Sequence, residues 1–179
     1  LLMGPARYRE LADGLLGIAT NLLSDRLRDL EAAGVIERRP ADTGNSVVYA
    51  LTDWGAELRE PIDGFIRWSK PLMVRGPDGD PFLPEWLAIA LPALLNSTPN
   101  GDDATPMVGL RIDDELFQMR ATSGGLEVAR HDGQPLAAVL RAEPMIILGL
   151  AAGMLRLDGV REAVDIEGDE NALRAIFAG

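Results

Sequence analysis

Cysteine is absent from this chain, which excludes both a disulfide framework and a thiolate metal site. Histidine occurs once, at His131 beside Asp132, and neither a second histidine nor a cysteine is present to complete a metal site. Phosphate-binding glycine motifs are also missing, because Gly124-Gly125 and Gly149-x-x-x-Gly153 lack both the lysine and the strand-to-helix context. We therefore expect no enzyme, no metal site and no cofactor.

Long hydrophobic runs are lacking as well. No apolar stretch reaches the roughly 20 residues that cross a bilayer, and no signal peptide is visible. We expect a cytoplasmic protein with no membrane partner. The 179 residues, 47% of them hydrophobic, suffice for one large or two small domains with packed cores.

Basic charge is scarce, and it is divided unevenly. Residues 1–75 carry ten Lys/Arg against eleven Asp/Glu, whereas residues 76–179 carry seven against seventeen. The second half therefore repels nucleic acid and is not expected to touch it. The first half is nearly neutral, so it would bind DNA only if its arginines gather on one face, and loss of DNA binding remains an alternative.

One stretch nevertheless has the pattern of a recognition helix. The spacing predicts a helix from Thr20 to Ala33 that buries Leu23, Leu27 and Leu30 on one side. The opposite side opens with short hydrogen-bonding side chains and continues with an arginine, as Thr20, Asn21, Ser24 and Arg28. Short polar groups near base edges, followed by a longer cation, suit a helix that enters the major groove by its N-terminus.

The flanking segments predict a helix-turn-helix with a wing. Residues 7–13 read as a short first helix, closed by a glycine-containing turn before the second helix. After Gly34, residues 35–39 and 46–51 alternate as the strands of a β-hairpin. Arg38 and Arg39 are expected at the tip of this wing, within reach of phosphate or of the minor groove.

A chain of ordered motifs covers residues 1–69. These motifs are Gly4-Pro5-x-Arg7-Tyr8-x-Glu10-Leu11, Gly17-Ile18-x-x-Asn21-Leu22-Leu23-x-x-Arg26-Leu27, Leu30-Glu31-x-x-Gly34, Tyr49-x-Leu51-Thr52-x-x-Gly55 and Arg67-Trp68. They resemble the HxlR-type winged helix-turn-helix transcriptional regulators of bacteria. That resemblance implies a further helix before Leu1, and we expect that helix to complete the core and part of a dimer contact.

The resemblance implies double-stranded DNA as a partner and a homodimer as the binding form. The second helix would meet the major groove through the four polar residues named above. Arg38 and Arg39 would reach backbone or minor groove, and Arg7 and Arg9 would lie on phosphates. We expect a regulator, most simply a dimeric repressor.

A helix predicted from Asp53 towards Lys70, capped by Thr52 and kinked or restarted at Pro61, carries an apolar stripe. Its members are Trp54, Leu58, Ile62 and Phe65. The stripe fits packing on the chain's own core and a dimer interface equally well. A two-fold dimer would read two half-sites about one DNA turn apart.

The predicted domain boundaries are 1–70 for the winged helix domain, 71–83 for a linker rich in proline and glycine, and 84–179 for a second domain. The second domain reads as an apolar helix, four short strands, a helix that is hydrophobic on all sides, a last strand and a final helix capped by Asp169. The fold class is α+β, with a mostly antiparallel sheet in the second domain.

Residues 84–179 resemble the sterol-carrier-protein type 2 fold, through the apolar helix ending near Gly153 and Gly168-Asp169 leading into residues 171–177. The resemblance implies an apolar cavity and an apolar small-molecule effector. Its candidate lining residues are Trp86, Met145, Ile146, Leu148, Leu150 and Met154. The alternative is that these side chains simply fill the core. A lipid-binding or protein-interaction module with little DNA affinity is the second functional hypothesis.

Overall fold

The computed structural model describes residues 1–41, 46–75, 82–95, 106–122 and 124–177. The chain forms two compact units, Leu1–Ile62 and Asp63–Gly179, so the second unit begins ahead of the predicted linker. Residues 76–81 of that linker lie outside the described residues, as do residues 42–45 of the hairpin turn.

The first unit is a helix pair followed by a two-stranded wing. Its elements are α1 Tyr8–Asp13, α2 Thr20–Ala32, β1 Ile36–Pro40, β2 Val47–Leu51, α3 Asp53–Ala56 and the start of α4 Arg59–Trp68. The two strands pair antiparallel, from Ile36 opposite Leu51 to Pro40 opposite Val47. Ala6 extends this sheet by exchanging backbone hydrogen bonds of 2.9 and 2.8 Å with Tyr49.

Helix α2 ends as its sequence predicts, at a glycine. Gly34 has a φ of +75°, and the N–H of Val35 donates to the carbonyl oxygen of Leu30 at 3.0 Å. This 6→1 closure satisfies a carbonyl that the end of the helix would otherwise leave open. Leu23 and Leu27 are buried with Ile36 in the core of the unit. Leu30 was predicted to be buried with them but is 40% exposed. The apolar cluster of this unit does not extend that far along the helix.

The helix predicted after the wing is divided in two. Thr52 caps α3 by accepting the Gly55 N–H on its hydroxyl at 3.0 Å, as expected. The chain then restarts as α4 at Arg59, which places Pro61 within the first turn. A proline is tolerated there, since the N–H it lacks would have had no partner within the helix.

The second unit is an α+β layer. After short 3₁₀ turns at Lys70–Arg75 and Pro84–Trp86, its elements are α5 Leu87–Leu94, β3 Val108–Ile112, β4 Glu115–Thr122, β5 Gly125–Arg130, β6 Ala138–Arg141, α6 Pro144–Ala151, β7 Asp165–Gly168 and α7 Glu170–Phe177. A 3₁₀ segment, Leu157–Ala163, joins α6 to β7 and was not predicted.

The sheet order is β5-β4-β3-β6-β7, antiparallel throughout except for the parallel pair β3 and β6. Alternate side chains such as Leu110 and Leu140 point to one face, where they pack with α5, α6 and α7 around Leu91, Ile147 and Leu173. The other face carries Arg111 and Arg141. The predicted α+β class with a mostly antiparallel sheet is confirmed. Among the described residues, the structure has no helix long and apolar enough to cross a bilayer.

Candidate nucleic-acid interface

The exposed side of α2 presents the polar residues that the sequence predicted. Thr20, Asn21 and Arg28 are all exposed. At 100° per residue, Asn21 and Arg28 lie about 20° apart on the helix, on the side away from Leu23 and Leu27. An amide and a guanidinium therefore share one exposed face. In DNA-binding proteins, side chains of these two types form paired hydrogen bonds with base edges in the major groove.

Ser24 lies less openly than the other three. Its hydroxyl, the hydroxyl of Tyr8 and the carbonyl oxygen of Thr20 lie within 2.9–3.2 Å of one another. This cluster ties α1 to the first turn of α2, so the Ser24 side chain is half-buried against Tyr8. Tyr8 was not among the predicted site residues, although its hydroxyl contacts both Thr20 and Ser24 in the first turns of α2.

Carboxylates on the same helix pair with its two arginines. Arg28 donates to Asp25 at 2.9 Å, and Arg26 approaches Asp29 at 3.5 Å. All four side chains are well exposed, and exposed pairs of this kind contribute at most about 1 kcal/mol. A phosphate or a guanine edge can therefore replace Asp25 as the partner of Arg28 at little cost.

The wing arginines lie in a strand and not at the tip. Arg38 is opposite Tyr49, and Arg39 is opposite Val48, because β1 continues to Pro40. Side chains alternate along a strand, so these two arginines point to opposite faces of the wing. Arg38 bonds to Glu31, near the end of α2, at 2.9 Å, and this bond raises the pKa of its guanidinium. Within the described residues Arg39 makes no ion pair.

Arg7 and Arg9 flank the start of α1, and both are exposed. The backbone N–H of Arg7 donates to the Glu10 carboxylate at 2.6 Å, which caps the helix and leaves the guanidinium free to reach outward. Neither arginine forms an ion pair with the part of the chain that the structure describes. Their role as phosphate contacts stays a prediction.

The apolar stripe after the wing is exposed. Trp54 is 59% exposed, Phe65 is 66% exposed, and Leu58 and Ile62 are also open to solvent. Packing on the chain's own core, one of the two predicted explanations, is therefore not what the described residues show. The dimer interface remains as the prediction for this surface.

The six candidate cavity residues do not share one environment. Leu148 and Leu150 are buried in the core of the second unit, and Met145 and Ile146 pack partly buried against it. Trp86 and Met154 are 43% and 42% exposed. Core packing accounts for the first four, and the apolar cavity stays a prediction.

The first unit has the elements of a winged helix-turn-helix: a short helix, a turn, an exposed second helix and an antiparallel hairpin. This class of fold is common among DNA-binding proteins. The family described as HxlR-like helix-turn-helix matches residues 1–76. This match over residues 1–76 agrees with the resemblance that the ordered motifs indicated over residues 1–69.

Two curated relatives from Bacillus subtilis (strain 168) match the same region. The HTH-type transcriptional regulator YodB is 30% identical over 70 residues, covering 38% of this chain and 62% of the relative. YvaP, described as an uncharacterized HTH-type transcriptional regulator, is 33% identical over 70 residues, covering 38% of this chain and 65% of the relative. The chain thus spans less than two thirds of either relative's length.

Solved structures that are similar to this chain match it only distantly. The UbiJ-SCP2 ubiquinone synthesis protein has a TM-score of 0.39 at 13% identity, covering 55% of this chain and 90% of that one. The sec-alkylsulfatase Pisa1 from Pseudomonas sp. has a TM-score of 0.46 at 17% identity, covering 54% and 16%. Scores this low support no statement about ligand or activity.

Proposed function

We propose that this protein is a dimeric transcriptional regulator that reads DNA through α2. The observation that carries the proposal is the shared exposed face of Asn21 and Arg28 on a helix that Tyr8 ties to α1. Arg39 on the wing and Arg7 and Arg9 beside α1 supply the phosphate contacts. Arg38 stays against Glu31 and supports the wing.

Charge is the main objection, since residues 1–75 carry one more acid than base. The ion pairs of α2 answer it in part. Asp25 is bonded to Arg28 and Glu31 is bonded to Arg38, so two of the eleven acids are already partly neutralised by arginines of the same unit. The proposal therefore requires phosphate to compete with weak exposed pairs, and it implies strong salt dependence.

Replacing Arg28 with alanine is expected to lower affinity for the protein's own upstream promoter fragment by about five- to 150-fold, the effect of losing one bidentate base contact. Binding to random DNA should fall much less. The measurement is a fluorescence-anisotropy titration across a salt series. Asp25→Asn should act in the opposite direction, because it releases Arg28 and removes a negative charge near the phosphates.

Arg26→Ala is the matched control for that experiment. Arg26 is equally exposed and also paired, but it lies about 160° around α2 from Arg28. Its loss should leave specific affinity within about twofold, the size of a surface substitution of roughly 0.5 kcal/mol. Equal losses in the two variants would rule out the major-groove placement of Arg28.

The dimer part of the proposal rests on the exposed stripe. Trp54, Leu58 and Ile62 are large, apolar and open to solvent in the first unit, and Phe65 follows one turn along α4. A monomeric surface seldom leaves a run of such side chains uncovered. A second copy is the simplest cover, since a two-fold dimer presents two recognition helices to two half-sites.

Ile62→Glu is expected to convert the dimer to monomers at micromolar concentration, because it places a charge inside an apolar contact. Sedimentation velocity gives the mass directly. The control is Glu60→Gln, a polar and exposed change on the same helix that lies off the stripe and should leave the dimer intact. An Ile62→Glu variant that still sediments as a dimer would move the interface elsewhere.

The apolar-effector hypothesis receives less support. Leu148 and Leu150 are buried in the core of the second unit, where packing accounts for them without a ligand. The proposal accordingly assigns the DNA-reading role to the first unit and leaves the apolar ligand as a separate hypothesis, to be tested by native mass spectrometry for co-purified lipid.

A further inference from the structure

Two arginines lie side by side on the outer face of the five-stranded sheet. Arg111 and Arg141 are directly in register on β3 and β6, the parallel pair of the sheet. Neighbouring strands are about 4.8 Å apart, so two guanidinium side chains leave the same face at the same level. Like charges placed directly across a strand pair are unfavourable unless something neutralises them.

The chain itself does not neutralise them within the described residues. Arg120, Arg130, Arg161 and Arg174 of the second unit each pair with a carboxylate, whereas Arg111 and Arg141 pair with none. Asp165 is opposite Arg141 in the ladder and still forms no ion pair with it. Both cations are thus available to an outside anion.

Arg111 and Arg141 line a cleft of about 490 Å³ at the carboxyl ends of β3 and β6. Volumes of roughly 300–1,000 Å³ are usual for small-molecule sites. The first residues of α6, Glu143 and Pro144, form part of its wall, so the positive end of that helix dipole faces the cleft as well.

The cleft also has an acidic side, formed by Asp113, Glu143, Glu162 and Asp165. In the described chain these carboxylates do not converge into a group of three that would hold a metal ion. Because the cleft as a whole carries more acids than bases, they repel a dianion such as inorganic phosphate more strongly than they repel a single carboxylate. A single carboxylate can bridge the arginines, and an ammonium group on the same molecule would meet the acidic side.

The geometry points to a binding site for a small molecule that carries one carboxylate, either alone or as an amino-acid zwitterion. Its carboxylate bonds to Arg111 and Arg141, whose planar guanidinium groups match that anion in a paired geometry. All residues that line the cleft belong to the second unit, so the existence of the site does not depend on DNA binding by the first unit. It is also distinct from the predicted apolar cavity, because none of the six candidate cavity residues lines the cleft.

Three probes that share a phenylethyl group separate the contributions of the two charged groups. 3-Phenylpropanoate has the carboxylate alone, L-phenylalanine has carboxylate and ammonium, and phenethylamine has the ammonium alone. The full chain, labelled with ¹⁵N, is titrated with each at about 0.15 M salt, where exposed charges are largely screened. The two carboxylates should shift the signals of Arg111 and Arg141 with saturation, and phenethylamine should not. The double variant Arg111→Gln/Arg141→Gln should weaken their binding at least about tenfold, the effect of losing a charged hydrogen bond.

Arg120→Gln is the matched control, since Arg120 lies on the same outer face but is paired with Glu127. It should leave binding unchanged, and it also reports whether the sheet tolerates such a change. Three results would overturn the site: no carboxylate shifts the two arginine signals, phenethylamine binds as tightly as phenylalanine, or inorganic phosphate binds more tightly than either carboxylate.

Discussion

Replacing Gly55 with alanine is expected to unfold most of the winged helix unit. A Cβ at this position would lie 2.0 Å from the carbonyl oxygen of Val35 and 3.0 Å from its carbonyl carbon. Real side chains do not approach a backbone oxygen so closely. The helix cannot move away at small cost, because the same oxygen accepts from the backbone N–H of Thr52 at 3.1 Å and from its hydroxyl at 3.2 Å.

This junction joins α2, the wing strand β1 and α3. Thr52 also donates to Gly34 at 2.7 Å, so a single residue connects the end of α2, the start of β1 and the start of α3. We expect Gly55→Ala to cost more than about 3 kcal/mol, above the usual range for adding a methyl group to a packed site. Hydrogen exchange at the amides of β1 and β2 would report the loss.

Gly64→Ala is the control for Gly55→Ala. Gly64 lies inside α4, and the nearest neighbour of an added Cβ would be the flexible end of Arg67, 3.8 Å away. Alanine is a better helix former than glycine, so stability should rise by about 0.5–1 kcal/mol. If Gly55→Ala proved as stable as Gly64→Ala, the close contact between α3 and Val35 would be wrong.

Local pattern was sufficient to predict α2 and its boundaries. The four-residue spacing of Leu23 and Leu27 identifies the buried side of the helix. Gly34 supplies the residue with positive φ that ends it. Leu30 fits the same spacing and is exposed nonetheless. Periodicity identifies which side of a helix is apolar. How much of that side is buried depends on the other elements that pack against it.

Contacts between distant residues were not accessible from the sequence. Arg38 looked like a wing-tip cation because nothing local shows how far β1 extends or that Glu31 lies beside it. Tyr8 and Ser24 meet only when α1 and α2 cross. Their hydroxyl contact removes from the exposed face a serine that the helical wheel had placed there.

The arginine cleft shows the same limit at longer range. Arg111 and Arg141 stand 30 positions apart in the sequence, on strands that do not follow one another along the chain. They become neighbours because the chain passes through β4 and β5 before β6 returns to lie parallel to β3. Strand order fixes this juxtaposition, and strand order is not encoded in the alternation of any single strand.

Gly168→Ala is the second change expected to have a large effect, and it acts on the second unit. Gly168 ends β7 with a φ of +90°, and an added Cβ would lie 2.4 Å from the Ala137 carbonyl oxygen and 2.9 Å from the Ala138 Cα. The same carbonyl oxygen accepts the Asp169 N–H at 2.9 Å, and Asp169 in turn caps α7 through the N–H of Asn171. The end of β7 and the start of α7 are therefore both held by the close approach of the chain to the Ala137 carbonyl group.

Gly133→Ala separates the two causes of that cost. Gly133 has nearly the same φ, +93°, but nothing lies within 4 Å of an added Cβ. It should lose only the roughly 1–2 kcal/mol of a left-handed residue with a side chain, whereas Gly168→Ala should lose more than about 3 kcal/mol. Urea denaturation gives the two values, and exchange at the α7 amides locates the damage. Equal losses in the two variants would mean that backbone conformation alone requires glycine at 168, and that the contact between β7 and β6 does not hold α7 in place.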